Sequence, residues 1–207
     1  MDLGENMKVL LVNPWAVNND QYYASGFIKG MNSFVDLDFA TNFYYNGEKP
    51  NGKLYSVFFK MTERMKSGLN RKLLRGIEYV LAWIKIIGIS KKNNYDVVHI
   101  HWLLMYRIDP IFLKKIKKHA CKIILTAHNV LPHTHGEKNI DNLRKIYDCC
   151  DEILVHGNSI KEEFATFFPE VSGKVSIQYH GEYYQQNIKY KSSKDSDYMK
   201  IEKFVDK

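Results

Sequence analysis

The stretch Tyr95-Asp-Val-Val-His-Ile-His-Trp102 decides the fold, because a short apolar run rich in Val and Ile ends there in polar and aromatic side chains. Similar runs recur along the chain and alternate with longer segments of helical spacing. This alternation is typical of βαβ units around a parallel sheet. The sequence therefore predicts an α/β protein with a single Rossmann-like, doubly wound parallel sheet.

The pattern predicts six strands and six helices. The predicted strands are 8–13, 35–43, 96–102, 122–128, 152–156 and 174–179, and the predicted helices are 21–32, 53–66, 70–89, 110–119, 140–150 and 159–168. At roughly 100 to 200 residues per domain, a chain of this length is enough for one main domain. We place that domain at residues 7–185, after a short leader at 1–6 and before a polar linker or tail at 186–207.

The basic charge of the chain is unevenly distributed. The formal net charge is +7. The segment from Lys53 to Lys92 contains ten basic residues but only two acidic ones, Glu63 and Glu78. This one segment therefore holds the whole basic excess. No nucleic-acid-reading motif accompanies it, so we expect no nucleic-acid partner.

Part of the basic segment has helical spacing. Its apolar positions are Leu69, Leu73, Ile77, Val80, Leu81, Ile84 and Gly88, and they are flanked by Arg71, Lys72, Arg75 and Lys85. Two interpretations remain open. The helix either packs its stripe into the core and exposes a solvated basic face, or it turns these four basic residues toward anionic lipid headgroups.

The cysteines and the apolar runs indicate the compartment. Two of the three cysteines, Cys149 and Cys150, are adjacent, which implies no disulfide framework and favours a reducing setting. No run approaches the roughly 20 apolar residues that span a bilayer. We expect a cytoplasmic protein that is peripheral on the inner face of the membrane.

Histidines gather at predicted strand ends, with His99 and His101 in one group and His128, His133 and His135 in another. Imidazole is suited to proton transfer and to metal binding near neutral pH. His99 and His101 share one face of a strand, so each is either a core side chain or a cleft residue. Likewise, His128 either caps its strand or faces a ligand.

A zinc hydrolase is a less favoured alternative for these histidines. An HxH pair ending a strand, completed by a histidine of the second group, would suit a zinc shell. Such hydrolases usually need a full barrel of roughly 250 residues, which is longer than this chain. We therefore predict no metal ligands.

Four motifs lie in order along the chain. They are Tyr95-Asp-Val-Val-His-Ile-His-Trp102, Thr126-Ala-His-Asn-Val-Leu-Pro-His133, Asp151-Glu-Ile-Leu-Val-His-Gly157 with Lys161, and His180-Gly-Glu-Tyr183. Together they resemble the N-terminal domain of GT-B glycosyltransferases of the family 4-like group. The resemblance covers roughly residues 95–185, with a weaker match at 7–13.

The resemblance implies one half of an enzyme in which two Rossmann-like domains face each other across a cleft. The N-terminal domain receives the acceptor, the C-terminal domain holds the nucleotide sugar, and no cofactor or metal is needed. The site residues implied for this chain are His128 as the catalytic residue, Asn129, His101, His133 and Trp15 as substrate-binding residues, and His180 with Gly181 near the hinge.

The same resemblance implies the function. The full enzyme is expected to move a hexose from a nucleotide sugar to a lipid-linked glycan acceptor, whereas this chain alone is expected to be inactive. One departure is the loop 13–26, which lacks the tandem glycines that many relatives place near the donor phosphates. The alternative is a noncatalytic subunit of a split enzyme that binds the acceptor or recruits the membrane.

Overall fold

A computed structural model of the chain describes residues 6–120, 122–132 and 137–179. These residues contain one seven-stranded sheet in the order β3-β2-β1-β4-β5-β6-β7, and all neighbouring strands are parallel. The strands are β1 (Lys8–Asn13), β2 (Asp36–Asn42), β3 (Leu54–Phe58), β4 (Val97–Ile100), β5 (Lys122–Thr126), β6 (Glu152–Val155) and β7 (Val175–Ile177). The predicted fold class is confirmed.

In the described part of the chain, five α-helices connect the strands. They are α1 (Asp20–Met31), α2 (Leu69–Asn93), α3 (Asp109–Ile116), α4 (Ile140–Cys149) and α5 (Asn158–Phe167). Crossovers between parallel strands are right-handed, and the chain steps from β1 to β2 in one direction but from β3 onward in the other. The helix α1 therefore covers one face of the sheet, and α2 to α5 cover the other.

The core accordingly has two layers. Alternate β1 residues point to opposite faces, so Leu11 packs with Ile28 of α1 whereas Leu10 packs with the helices of the second face. In that larger layer the rings of Trp83 and Phe112 stack with centroids 5.7 Å apart. The helices α2 and α3 thus pack against each other beneath the sheet through stacked aromatic rings.

The predicted helix 53–66 is wrong. Its first part is the edge strand β3, which pairs with β2, and a short 3₁₀ turn follows at Thr62–Arg64. Tyr55 and Val57 pack against the core while Leu54 and Ser56 are exposed, which is the period of two that a strand requires, and Phe58 at the end of the strand is fully buried. Phe59 then ends the strand in a left-handed conformation, with φ of 56°.

The apolar stripe of α2 does not enter the core. The buried side chains of this helix are Tyr79, Ala82, Trp83, Ile86 and Ser90. Most of the predicted stripe lies on the outward side, where Leu69, Leu73, Ile77, Leu81 and Ile84 are exposed, whereas Val80 is partly buried against the core. Of the two interpretations, a core-packed stripe is wrong, because bulkier aromatic side chains fill the space beneath the sheet.

A buried polar network joins α2 to the start of α3. The Tyr79 hydroxyl donates to the Asp109 carboxylate at 2.8 Å and accepts from the backbone N–H of Leu104 at 3.1 Å. The second carboxylate oxygen of Asp109 accepts from the N–H of Met105 at 2.9 Å. Burial raises the pKa of Asp109 to about 6, against the opposing effect of these hydrogen bonds.

Replacing the hydroxyl of Tyr79 tests this network. The variant Tyr79→Phe should lower the free energy of unfolding by about 1.5–3 kcal/mol, because a hydrogen bond to a buried carboxylate is lost and the Leu104 N–H loses its acceptor. Urea unfolding measures the change. Tyr22→Phe on the exposed side of α1 is the control, and an equal loss in both variants would contradict the assignment.

Candidate functional site

The site lies where the chain reverses its direction of travel across the sheet. From β1 the chain moves to β2 and β3 on one side, then returns through α2 to β4 on the other side of β1. In open α/β sheets, ligands bind at such a switch point, outside the carboxyl ends of the strands. The residues that follow β1, β4, β5 and β6 meet at this edge.

Four imidazoles form a cluster at this edge, and we call His99, His101, His128 and His156 the histidine cluster. Ring centroids are 4.8 Å apart for His99 and His101, 6.3 Å for His101 and His128, and 5.0 Å for His128 and His156. The ring of Tyr23 on α1 lies 5.1–5.8 Å from the last three.

The strand order explains this assembly. His101 follows β4, His128 lies two residues beyond β5, and His156 follows β6, and these three strands are neighbours in the sheet. Parallel strands end at the same edge, so residues about 28 positions apart come into contact. The side chain of His156 was missed as a site residue, although its strand-end position carries the same signal as that of His128.

Hydrogen bonds fix the tautomers of two of these rings. His156 Nδ1 lies 2.9 Å from the carbonyl oxygen of Gln178, which only accepts, so Nδ1 carries the proton. The second nitrogen of His156, Nε2, lies 3.3 Å from His128 Nδ1, and with this tautomer it can accept the Nδ1–H of His128. In this arrangement Nε2 is the basic nitrogen of His128.

Stacking fixes the plane of the same ring. Trp102 lies parallel to His128 with centroids 4.3 Å apart and an interplanar angle of 7°. The indole N–H of Trp102 donates to Asp20 at the start of α1, and the side-chain amide of Asn13 donates to the other carboxylate oxygen. Burial raises the pKa of Asp20, while these two hydrogen bonds lower it.

Asp20 and Tyr23 are further side chains that reasoning from the sequence missed. An acidic residue in the first turn of a helix is commonly explained by the helix dipole alone, so Asp20 gives little sequence signal. Tyr23 lies on a different element from the histidines. Only the packing of α1 against this half of the sheet brings it to the cluster.

The two β4 histidines are held neutral. His99 is hydrogen-bonded through Nε2 to the hydroxyl of Thr126 at 2.8 Å, and burial lowers its pKa to about 3. His101 is 1% exposed, and burial followed by repulsion from neighbouring imidazoles lowers its pKa well below the ordinary value. Neither ring nitrogen of His101 has a hydrogen-bond partner among the described residues.

Two cavities of different size flank this arrangement. A small cavity of about 70 Å³ lies beneath His128 and Asn129 and also touches His101. A larger one of about 570 Å³ is lined by Val17, Asn18, Asn19, Gln21, Tyr22, Tyr44, Asn46 and Glu63. Only the larger one has the size of a typical ligand pocket.

Of the remaining predicted site residues, one adjoins the histidine cluster, one lies apart from it, and the others lie outside the described residues. Asn129 is exposed beside His128. Trp15 instead contacts Phe59, with ring centroids 5.9 Å apart. His133, His180 and Gly181 lie outside the described residues, as do residues 1–5 of the predicted leader, the last six residues of the predicted domain and the predicted tail.

The prediction that Arg75 faces a membrane is wrong. Its side chain is 15% exposed, pairs with Glu63 at 3.1 Å, and lies over the rings of Phe59 and Trp15. Arg71 is also turned toward the protein, since its Nε donates to the Thr62 carbonyl. Lys72 and Lys85 are exposed.

No metal-binding group is found in the part of the chain that the structure describes. Nowhere in these residues do three or more His, Cys, Asp or Glu side chains lie around one point. His133 and His135, which the zinc alternative requires, are not among the described residues.

Comparison with known proteins rests on structure alone. No protein-family profile matches the sequence, and no curated protein is similar enough in sequence to be detected. The fold matches Anabaena HepE in complex with UDP and glucose, with a TM-score of 0.54 and 10% identity over 96% of this chain and 50% of that chain. The complex of HepE with UDP-glucose gives a TM-score of 0.52 at the same identity and coverage.

A third match is WaaB, a lipopolysaccharide outer core galactosyltransferase in its apo form. Its TM-score is 0.51, with 14% identity over 84% of this chain and 45% of that chain. The chain has the Rossmann-like fold found in GT-B glycosyltransferases. It spans about half the length of these GT-B structures.

The buried imidazoles predict an acid-sensitive fold. Because the folded-state pKa of His99 is about 3, against an ordinary value of 6.5, the unfolded chain takes up this proton first as the pH falls. Stability is therefore lost progressively below pH 6.5. The variant His99→Gln, which keeps a partner for Thr126, should make the decline shallower by up to about 1.4 kcal/mol per pH unit between pH 6 and 4.

Urea unfolding at a series of pH values measures this slope. His119→Gln removes an imidazole at the end of α3, outside the histidine cluster, and serves as the matched control. Parallel curves for His99→Gln and the unmodified chain would show that His99 does not enter the folded state as a neutral buried ring.

Proposed function

We propose that this chain is the acceptor-side half of a glycosyltransferase of the family 4-like group. Together with a donor-binding half, it would move a hexose from a nucleotide sugar to a glycan or glycolipid acceptor. The observation that carries the proposal is the placement of His128. Its ring is held by His156 and Trp102 at the switch point of a GT-B fold.

His128 is proposed as the catalytic residue. With Nδ1 directed at His156, Nε2 would accept a hydrogen bond from a sugar hydroxyl at the reaction centre; this nitrogen is buried, so the substrate would have to displace the groups that cover it. The stacked indole and the histidine neighbour hold this nitrogen in one orientation before substrate arrives. Such preorganisation contributes to catalysis because no group has to reorient during the reaction.

The larger cavity is proposed as the acceptor site. Its lining combines the amides of Asn18 and Asn19 with the rings of Tyr22 and Tyr44, which offers both donors and acceptors for hydroxyl groups. Asp20 follows Asn19 in the chain and accepts a hydrogen bond from Trp102. Because Trp102 stacks on His128, Asp20 links the cavity to the imidazole. The acceptor would extend from this cavity toward the imidazole.

The nature of the donor is proposed from the structural relatives. HepE is seen with UDP, glucose and UDP-glucose, and WaaB is a galactosyltransferase of the lipopolysaccharide outer core. A nucleotide-hexose donor is proposed from the HepE complexes, and a surface-glycan acceptor is proposed from the name of WaaB. We propose no metal or organic cofactor, and we place the reaction in the cytoplasm.

A second candidate function is a noncatalytic subunit that binds the acceptor and recruits the membrane. The exposed apolar face of α2 favours it, because transfer chemistry does not require such a surface. The two candidates differ in one respect. A catalytic half depends on the His128 imidazole, whereas a recruiting subunit does not.

Removal of the imidazole tests the leading proposal. In this chain assembled with its donor-binding half, His128→Ala should reduce the rate of hexose transfer by roughly 10²-fold, the size typical of losing one preorganised hydrogen-bonding group. Transfer of labelled hexose to the acceptor measures the rate, and circular dichroism checks that the variant is folded.

The matched control is His119→Ala, which removes an imidazole outside the histidine cluster and should leave transfer unchanged. Transfer by His128→Ala within twofold of the unmodified assembly would reject His128 as the catalytic residue. Retained vesicle recruitment in that case would support the noncatalytic candidate.

A further inference from the structure

The outward face of α2 is apolar over four turns. Leu69, Leu73, Ile77, Leu81 and Ile84 form what we call the apolar stripe, and each of these side chains is between 52% and 72% exposed. The opposite face of the same helix is already buried, with Trp83 and Ile86 fully covered. The helix therefore has two apolar faces, and the core uses only one.

Such a face is unusual on a soluble domain. A helix at a protein surface normally presents polar residues to water, and a large contiguous apolar patch marks a place where something binds. At 1.5 Å per residue the apolar stripe is roughly 22 Å long. Single exposed aliphatic residues are common on protein surfaces, but five of them along one face of a helix require an explanation.

Two methionines widen the apolar stripe. Met61 is 63% exposed, and its backbone N–H donates to Glu78 on α2, which places it along one side of the helix. Met105 is also exposed, and its Cε lies 3.9 Å from the position of a Cβ built on Gly76 on the other side. Methionine is flexible and adapts to irregular apolar surroundings.

The charges around the apolar stripe have one sign. Exposed lysines lie on α2 and just before it, namely Lys66, Lys72, Lys85, Lys91 and Lys92, with Lys72 and Lys85 on opposite sides of the apolar stripe. The single carboxylate of α2, Glu78, is turned toward the protein, where it accepts from the N–H groups of Met61 and Thr62 and from the Thr62 hydroxyl. The surface thus combines aliphatic area with uncompensated positive charge.

We infer that the apolar stripe and its lysines dock the protein on an anionic lipid surface. Aliphatic side chains on one face with lysines at its borders are the features of a helix that lies in the membrane interface. No helix within the described ranges is long and apolar enough to cross a bilayer, so α2 would lie along the surface. A second copy fits less well, because two such faces would bring like charges together.

The docked orientation would bring the candidate site close to the lipid surface. The helix α2 begins after β3, so its first turns lie near the carboxyl edge of the sheet, and there Arg75 stacks on Trp15. Leu69 and Leu73 belong to the same end of the helix. The inference stands whether or not the cleft transfers sugar, because it concerns a different surface.

Co-sedimentation of the full chain with vesicles tests the inference. We expect binding to vesicles of equal parts phosphatidylcholine and phosphatidylglycerol, and at least tenfold weaker partitioning for the double variant Leu73→Ser/Ile77→Ser. Phe34→Ser is the matched control, since Phe34 is exposed in the turn before β2 and should not contribute. Thermal unfolding should be nearly unchanged, because all three side chains face water.

A second pair of variants tests the charge. Lys72→Gln and Lys85→Gln should each weaken partitioning roughly fivefold on the mixed vesicles, and neither should matter on pure phosphatidylcholine. Absence of vesicle binding by the unmodified chain, or equal binding by the double serine variant, would overturn the inference. The inference would also be overturned if the unmodified chain self-associates in size-exclusion chromatography, does not bind vesicles, and loses its self-association in the double serine variant. That result would assign the surface to a second copy.

Discussion

The parallel arrangement of all seven strands is the constraint on which the rest of this molecule depends. It forces every strand to end at the same edge, so side chains that are remote in sequence share one site. His101, His128 and His156 meet for this reason alone. Burial keeps His99 and His101 neutral, and hydrogen bonds hold the ring of His156 against that of His128.

This burial has opposite consequences for stability and for chemistry. His99 and His101 are costly to keep neutral in acid, so they weaken the fold as the pH falls. Uncharged His101 also lies next to His128, with ring centroids 6.3 Å apart. The His128 ring is held by stacking on Trp102 and by its contact with His156. A side chain supported in this way can present one nitrogen in a fixed direction.

The sequence predicted the elements that the core buries most completely. The strands β1, β4, β5 and β6 are apolar runs with polar ends, and this pattern is typical of a buried strand in a parallel sheet. The edge strand β3 was missed because it is only partly buried and lies in a basic segment that resembles a helix. The ion pair of Arg75 with Glu63 was missed because it joins residues whose proximity depends on that strand. Asp20 and Tyr23 entered the site through packing that no local pattern shows, whereas His156 follows the end of β6 and carried the same signal as His128.

The helix α2 shows most clearly what periodicity leaves undecided. Both of its faces are apolar, so a stripe at helical spacing cannot tell which face turns inward. The aromatic content decides it, because Tyr79 and Trp83 bury more area than the aliphatic stripe and reach Asp109 and Phe112 across the sheet face. The aliphatic face is then left outside, where water alone would favour association between copies. The surrounding lysines oppose such association by repulsion and attract an anionic surface instead. The exposed apolar area therefore favours binding of some partner, and the positive charge favours an anionic lipid surface as that partner.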